Sequence, residues 1–203
     1  MRLRFIHVAA AVIGPYVPAL RRLEQAITYP LADGADGADE KDRFFIDHGA
    51  DYHPFFSHLG EAHFVLALDD ERPAGRAEGQ VIGALAGVLR RAERGGRSIP
   101  SVYLGDLKLH ADYRGRGVVP RLLRFALGLV RQPRFQRWRL AYGAAMRGSR
   151  GDVMRSARGL SLLRLGSTLG QLTLYFAPPE RLAALQPRTA PPPPDAAYGL
   201  DLS

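Results

Sequence analysis

The residue types most able to do chemistry are concentrated in one stretch, Tyr103-Leu-Gly-Asp-Leu-Lys-Leu-His-Ala-Asp-Tyr-Arg-Gly-Arg-Gly-Val-Val-Pro-Arg-Leu-Leu. It reads as a strand running into a glycine- and arginine-rich turn, which opens a helix. The first turn of a helix carries unpaired N–H groups and the positive end of the helix dipole. Gly115 and Gly117 let the main chain approach an anion closely, while Arg114 and Arg116 add charge and directional donors. The physics calls for a phosphate or pyrophosphate at residues 114–119. Two widespread phosphate loops do not fit. There is no GxxxxGK[ST], and GxGxxG fails because position 120 is Pro120.

Other chemistries are weaker or closed. The chain has no cysteine, which excludes disulfide frameworks, thiolate zinc sites, iron–sulfur clusters and cysteine nucleophiles. His48, His53, His58 and His63 recur every five residues. Five residues turn a helix by about 500°, so these rings do not share a face, and no metal site is expected. The repeat Asp33-Gly-Ala-Asp-Gly-Ala-Asp-Glu lacks the spacing and the closing glutamate of a calcium loop and reads as a surface loop.

Elements must position the turn. Arg2–Val8 alternates as a strand, with Leu3, Phe5 and His7 on one face and Arg4, Ile6 and Val8 on the other. Residues 15–29 read as a helix, with Val17, Leu20, Leu23, Ala26 and Ile27 at three- and four-residue steps. Residues 44–60 are the densest aromatic stretch and read as helix and turns against a sheet. Strands follow at 63–68 and 80–89, separated by a polar turn region at 69–79. A basic loop at 90–97 leads to a strand at 101–110. A helix at 118–130 buries Val119, Leu122, Leu123, Ala126, Leu127 and Val130. A strand at 137–144, a short helix or turn at 152–158 and a last strand at 172–176 complete the pattern. Strands alternating with helices indicate an α/β or α+β sandwich with helices on both faces of one sheet. From Pro178 onward prolines dominate, and a surface-lying or extended tail over 178–203 is expected after a domain over 1–177.

With 203 residues, 46% of them apolar, one ordinary domain can bury a core. The formal net charge is +8, and since only Lys41 and Lys108 are lysines, 26 of the 28 basic residues are arginines. That field suits phosphates, nucleic acid, an anionic membrane or an acidic partner, although a GC-rich coding bias also yields such a composition. No run approaches the roughly 18 apolar residues that span a bilayer. Arg2 and Arg4 before Phe5–Gly14 outline an export signal, but His7 breaks the apolar run and the segment alternates as a strand. A cytoplasmic location is the expectation.

The 103–123 segment resembles the Gcn5-related N-acetyltransferase (GNAT) family. That family's acetyl-CoA signature is [QR]-x-x-G-x-[GA], and Arg114 and Gly117 match its first two fixed positions. Val119 stands where the family has a small residue, Pro120 removes one amide, and the family's usual Asn and Tyr are missing from 147–159. The resemblance implies a mixed, mostly antiparallel central sheet with helices on both faces. It implies direct acetyl transfer from acetyl-CoA to the primary amine of a small molecule or peptide. It also places the pyrophosphate on the amides of Arg116, Gly117, Val118 and Val119, beside Arg114 and Gly115. Main-chain groups of Leu107, Lys108 and Leu109 would hold the pantetheine arm and polarise the acetyl carbonyl, which calls for a bulge near 107–109. Homodimers are common in the family.

Amine attack requires loss of a proton, and Asp106 is the best candidate base, with pairing to an arginine as the alternative. His110 and Tyr103 are weaker candidates. Tyr142 or Tyr175 could protonate the leaving thiolate, and Glu61 could meet a cationic substrate. Two rival functions remain open. One is the same fold using a longer acyl chain from acyl-CoA or an acyl-carrier protein, to which the positive charge and the 44–59 aromatic wall are suited. The other is nucleic-acid binding through Arg131, Arg134, Arg137 and Arg139 interleaved with Phe135 and Trp138.

Overall fold

The computed structural model describes residues 1–30, 43–73, 79–129, 131–135, 137–144, 147–148 and 151–152. The chain opens with β1 (Leu3–Ala9), whose alternation sends Leu3 and Phe5 to one side of the sheet and Ile6 and Val8 to the other. Two short 3-10 turns lead into α1 (Val17–Gln25). This helix is shorter than the 15–29 period suggested. Pro15 lies in the turn Gly14–Tyr16, while Pro18 takes one of the first helical positions, where a missing N–H costs nothing. At its other end the helix closes at Ala26, and Tyr29–Pro30 forms β2, paired with β3 (Arg43–Phe44) through stacked Tyr29 and Phe44 rings.

After α2 (Pro54–Leu59) come three long antiparallel strands, β4 (Glu61–Pro73), β5 (Gly79–Arg94) and β6 (Arg97–Leu109). They extend well beyond the apolar runs. The polar turn expected at 69–79 is strand as far as Pro73 and again from Gly79. The basic loop expected at 90–97 is a tight hairpin, with Arg94 opposite Arg97 and only Gly95 and Gly96 between them. Both glycines have positive φ (54° and 69°), the geometry whose twist matches two-residue hairpins. α3 (Val118–Leu129) returns the chain to β7 (Leu140–Gly143), and β8 (Arg147–Gly148) pairs with β9 (Gly151–Asp152). The main sheet has the order β1-β4-β5-β6-β7, antiparallel throughout except for the parallel β6–β7 pair.

The sheet is covered on both faces. On one, α1 and α2 pack on Phe64, Leu66, Leu68, Ala84, Ala86 and Val88, with Tyr52 and Phe56 fully buried among them. On the other, α3 sets Val118 and Leu122 against Val65, Ala67, Ile82 and Leu85. The α3 register differs from expectation. Val118 and Leu122 are its deepest residues and Val119 is half-buried, whereas Leu127 is 45% exposed. The 33–40 repeat, Val130, Tyr175, the 172–176 strand, most of 152–158 and the proline-rich 178–203 segment lie outside the described residues. No helix among the described residues is long and apolar enough to cross a membrane.

His7 and His63 meet across β1 and β4 with ring nitrogens 3.2 Å apart, and Phe135 sets its edge on both. Burial, then His63 and Arg134, pull His7 down to about 4. Burial also lowers His63, against a hydrogen bond with Glu61. A histidine held neutral in the fold but titrating near 6.5 when unfolded makes the unfolded state bind more protons in between. The stability contributed by this pair should therefore be fully present above about pH 6.5 and be lost as the pH drops from 6.5 towards 4. Urea unfolding of a His7→Gln variant should show a shallower decline over that window, and a slope identical to the parent's would remove His7 from the explanation.

Candidate functional site

β6 is the strand on which the site is built. It pairs with β7 only from Ser101 to Leu104, opposite Leu140 to Gly143. Past Leu104 β6 runs on for five residues, and among the described residues none pairs with it on that side. The approach at the junction is close: a Cβ on Gly143 would lie 2.4 Å from the Leu104 carbonyl oxygen. At and beyond the junction Leu104 and Leu107 are 39% and 38% exposed, so the unpaired side of β6 is open to a ligand among the described residues.

Inside that unpaired stretch the register against β5 shifts. Ala86 faces Gly105 and Ala84 faces Lys108, so Asp106 and Leu107 together oppose Leu85. This is a β-bulge at 106–107, at the near edge of the 107–109 region where one was expected. Asp106 adopts φ 55°, a left-handed conformation uncommon for a side-chain-bearing residue.

β6 ends at Leu109, and a 3-10 turn, Ala111–Tyr113, carries the chain towards α3. His110 caps the turn by accepting from the Asp112 N–H at 3.3 Å. Tyr113 points inward and is buried, and its hydroxyl donates to Asp69 at 2.7 Å. That hydrogen bond, against the cost of burial, holds the Asp69 carboxyl below its ordinary range. The turn is thereby pinned to β4, with the Arg116 guanidinium 5.7 Å from the Tyr113 ring centre. Outward, Arg114, Gly115, Arg116 and Gly117 are all exposed. Gly115 and Gly117 have φ of 75° and 70°, and a Cβ on either would meet nothing within 4 Å. The bend is open and positive, and leads directly into the free N–H groups of α3.

On the α1 side of β6 lies a cluster of polar groups that sequence reasoning missed. The Lys108 ammonium is 2.5 Å from Glu24 Oε1 and 2.6 Å from Asp106 Oδ1, with the Tyr52 hydroxyl at 3.3 Å. Tyr52 donates to Asp106 Oδ2. His48 bonds Glu24 twice, through its backbone N–H at 3.1 Å and Nδ1 at 2.5 Å. Because an ionised carboxylate only accepts, Nδ1 carries the proton. Burial alone would raise the Glu24 carboxyl, but the hydrogen bonds from Lys108 and His48 outweigh it and hold Glu24 below its ordinary range. Burial and then the Asp106 charge push the Tyr52 hydroxyl up. Ligand atoms of Glu24, His48 and Asp106 lie within 4.8 Å of one another, and the ammonium already sits against both carboxylates. One signal was available: Glu24 sits on the apolar face of α1, four residues after Leu20 and three before Ile27.

The sequence-derived candidates divide accordingly. Leu107, Lys108 and Leu109 lie at or just after the bulge, and Arg114 to Val119 form the open bend and helix start. Asp106 pairs with a lysine rather than an arginine. Tyr142 stands directly opposite Tyr103 in the β6–β7 register, its ring tilted against that of Tyr103 with centres 5.6 Å apart. Glu61 is engaged with His63. Phe135 is buried and Trp138 half-buried, and Arg134 is held by His7, so this segment does not present aromatic faces for base stacking. A cavity of about 450 Å³ lies instead at the start of β6, lined by Arg97, Ser98, Pro100 and Arg139 among others.

Comparisons with known proteins bear on this arrangement. The family described as Acetyltransferase (GNAT) family matches residues 25–149. The comparison with curated proteins found no match. Among solved structures, the aminoglycoside acetyltransferase AAC(6')-Iy, in complex with a CoA-containing bisubstrate analogue, superposes with a TM-score of 0.51 at 15% identity. The alignment covers 88% of this chain and 99% of that one. A metagenomic soil aminoglycoside acetyltransferase in complex with sisomicin gives 0.50 at 15% identity, over 87% and 95%. A putative acetyl transferase from Pyrococcus furiosus gives 0.50 at 14%, over 86% and 100%. At such identities the structural likeness speaks for the fold alone. The family match, covering more than half of the chain and the whole of the bulged strand with its glycine-arginine bend, goes further: this protein belongs to the GNAT acetyltransferase family.

Proposed function

We propose that the protein is an N-acetyltransferase that moves an acetyl group from acetyl-CoA directly to a primary amine. The observation that carries the reading is the juxtaposition of an unpaired, bulged β6 edge with an open, positively charged bend in one continuous segment, 105–119. The residues present fit a pyrophosphate-bearing donor, since the Gly115 and Gly117 faces are clear where close approach is needed. Amides of Gly117 to Val119, the Arg116 amide once it leaves its 3.4 Å bond to the Tyr113 carbonyl, and the Arg114 side chain would hold the two phosphates. The main chain of Leu107 to Leu109 would hold the pantetheine arm. The donor itself supplies an activated thioester carbonyl. As the amine attacks, negative charge grows on that carbonyl oxygen, and a main-chain N–H on a fixed strand stabilises it without having to reorganise.

Two proton steps remain. The hydroxyl of Tyr142, opposite Tyr103 and one residue before the β6–β7 pairing ends, is the group we assign to return a proton to the leaving thiolate. Asp106 has both carboxylate oxygens engaged and its side chain is only 6% exposed. To serve as base it must first exchange Tyr52 or Lys108 for the acceptor, so the geometry favours it as a positioning group, with cleft water taking the amine proton. In the neighbours that bind aminoglycosides the acceptor is a small amine, and we extend that class, though not that compound, to this chain. Amine-dependent release of CoA from acetyl-CoA across a panel of small amines and peptides tests the reading. Release that requires an acceptor supports it, and an acceptor-independent rate throughout the panel refutes it.

A further inference from the structure

We infer that Lys108 is a positioning residue: its ammonium, locked between Glu24 and Asp106, holds the bulge in β6 that sets the direction of the Leu107 and Leu109 main chain along the stretch left unpaired after Leu104. The inference rests on the acyl-donor reading above.

Three observations carry it. The first is strain. Among the described residues only Tyr52 (φ 62°) and Asp106 (φ 55°) combine a side chain with positive φ, and these two are hydrogen-bonded to each other. Such conformations persist only where the surroundings over-determine them, and they gather at functional sites. The second is how Asp106 is fixed. Tyr52 holds Oδ2 and Lys108 holds Oδ1, so the residue that forms the bulge is gripped from two directions. Lys108 is itself tied through Glu24 to α1, and Glu24 is tied through His48 to the loop before α2. Three separate chain segments thus meet on one nitrogen.

The third observation is charge in a dry place. The side chains of Lys108, Glu24 and Asp106 are 1%, 4% and 6% exposed. Without the ammonium, two buried carboxylates would face each other unneutralised, which proteins avoid by rearranging or by taking up protons. A lysine suits the place, because an ammonium is a compact charge with three donors, and three acceptor groups (Glu24, Asp106 and Tyr52) surround it. Freed from Lys108, residues 106–107 can relax towards regular pairing with β5. Removing a bulge changes the register by one residue, which turns the following main-chain and side-chain directions over. The amides of 107–109 would then no longer keep their present direction on the unpaired side of β6.

The test titrates the full chain by calorimetry with two ligands, acetyl-CoA and 3′-phospho-ADP. The second carries the pyrophosphate but no pantetheine arm. Lys108→Met should weaken acetyl-CoA binding at least tenfold while changing 3′-phospho-ADP binding less than twofold, and kcat should fall alongside. The charge-balanced double variant Glu24→Gln/Lys108→Met removes one charge of each sign, which protects the fold, and should show the same split between the ligands. A residue with a merely structural role would weaken both ligands together. Unchanged acetyl-CoA affinity in the double variant, or equal loss for both ligands, overturns the role given to Lys108. If the parent protein binds neither ligand, the acyl-donor reading has failed and the inference falls with it.

Discussion

The double variant Arg114→Ala/Gly117→Glu should lose acetyl-CoA affinity by about a hundredfold or more, while its thermal unfolding stays within a few degrees of the parent's. Hydrogen bonds to a charged group contribute roughly 1.5–3 kcal/mol each, and a carboxylate placed at an anion site adds repulsion to that loss. The fold should tolerate the change. Arg114 is exposed, and a side chain at position 117 projects into clear space. The positive φ of 70° makes any residue but glycine strained there, at a cost of about 1–2 kcal/mol. Calorimetry and a thermal scan on the same preparation separate the two effects. Retained affinity would move the phosphate site elsewhere, and a collapse of the transition temperature would show that the bend is structural rather than ligand-facing.

Phe56→Ala should cost about 3–5 kcal/mol of stability, the range for truncating a fully buried aromatic ring. Phe56 is 1% exposed and packs at 4.9 Å from the His48 ring, 5.3 Å edge-on from Phe64 and 6.0 Å from Tyr52. Two of these partners belong to the polar cluster around Lys108, so the cavity should loosen catalysis along with the fold. Urea unfolding should show a lower midpoint with an unchanged slope, and kcat should fall well below that of a surface variant such as Phe55→Ala. Phe55 is its sequence neighbour, but it is half-exposed, and its truncation should shift stability by less than about 1 kcal/mol. Equal losses at 55 and 56 would contradict the packing described here.

Much of the sheet was legible in the residue pattern, because β1 alternates and β4 carries a continuous apolar run suited to burial on both faces. Strand lengths were not legible. Arg90, Arg91 and Arg94 lie on strand, since the pairing of the hairpin end is set by the turn at Gly95 and Gly96 rather than by hydrophobicity. The α1 period misled at both ends, where two 3-10 turns and the β2–β3 pair compete with helix. The open glycine-arginine bend could be read because its chemistry is local: glycines, arginines and a helix start within six residues. The Lys108 cluster could not. Its members, Glu24, His48, Tyr52, Asp106 and Lys108, come from positions up to 84 residues apart and are joined only by the fold. Nor did strict alternation foresee that Asp106 would adopt a left-handed conformation, which an aspartate tolerates better than most residues.

Amide hydrogen exchange on the full chain, with and without saturating acetyl-CoA, tests the central claim most directly. The account predicts slowed exchange concentrated in 107–109 and 116–119, with the hairpin at Gly95–Gly96 unchanged. Saturable binding that leaves those two stretches unprotected, or protects the hairpin in their place, would contradict it.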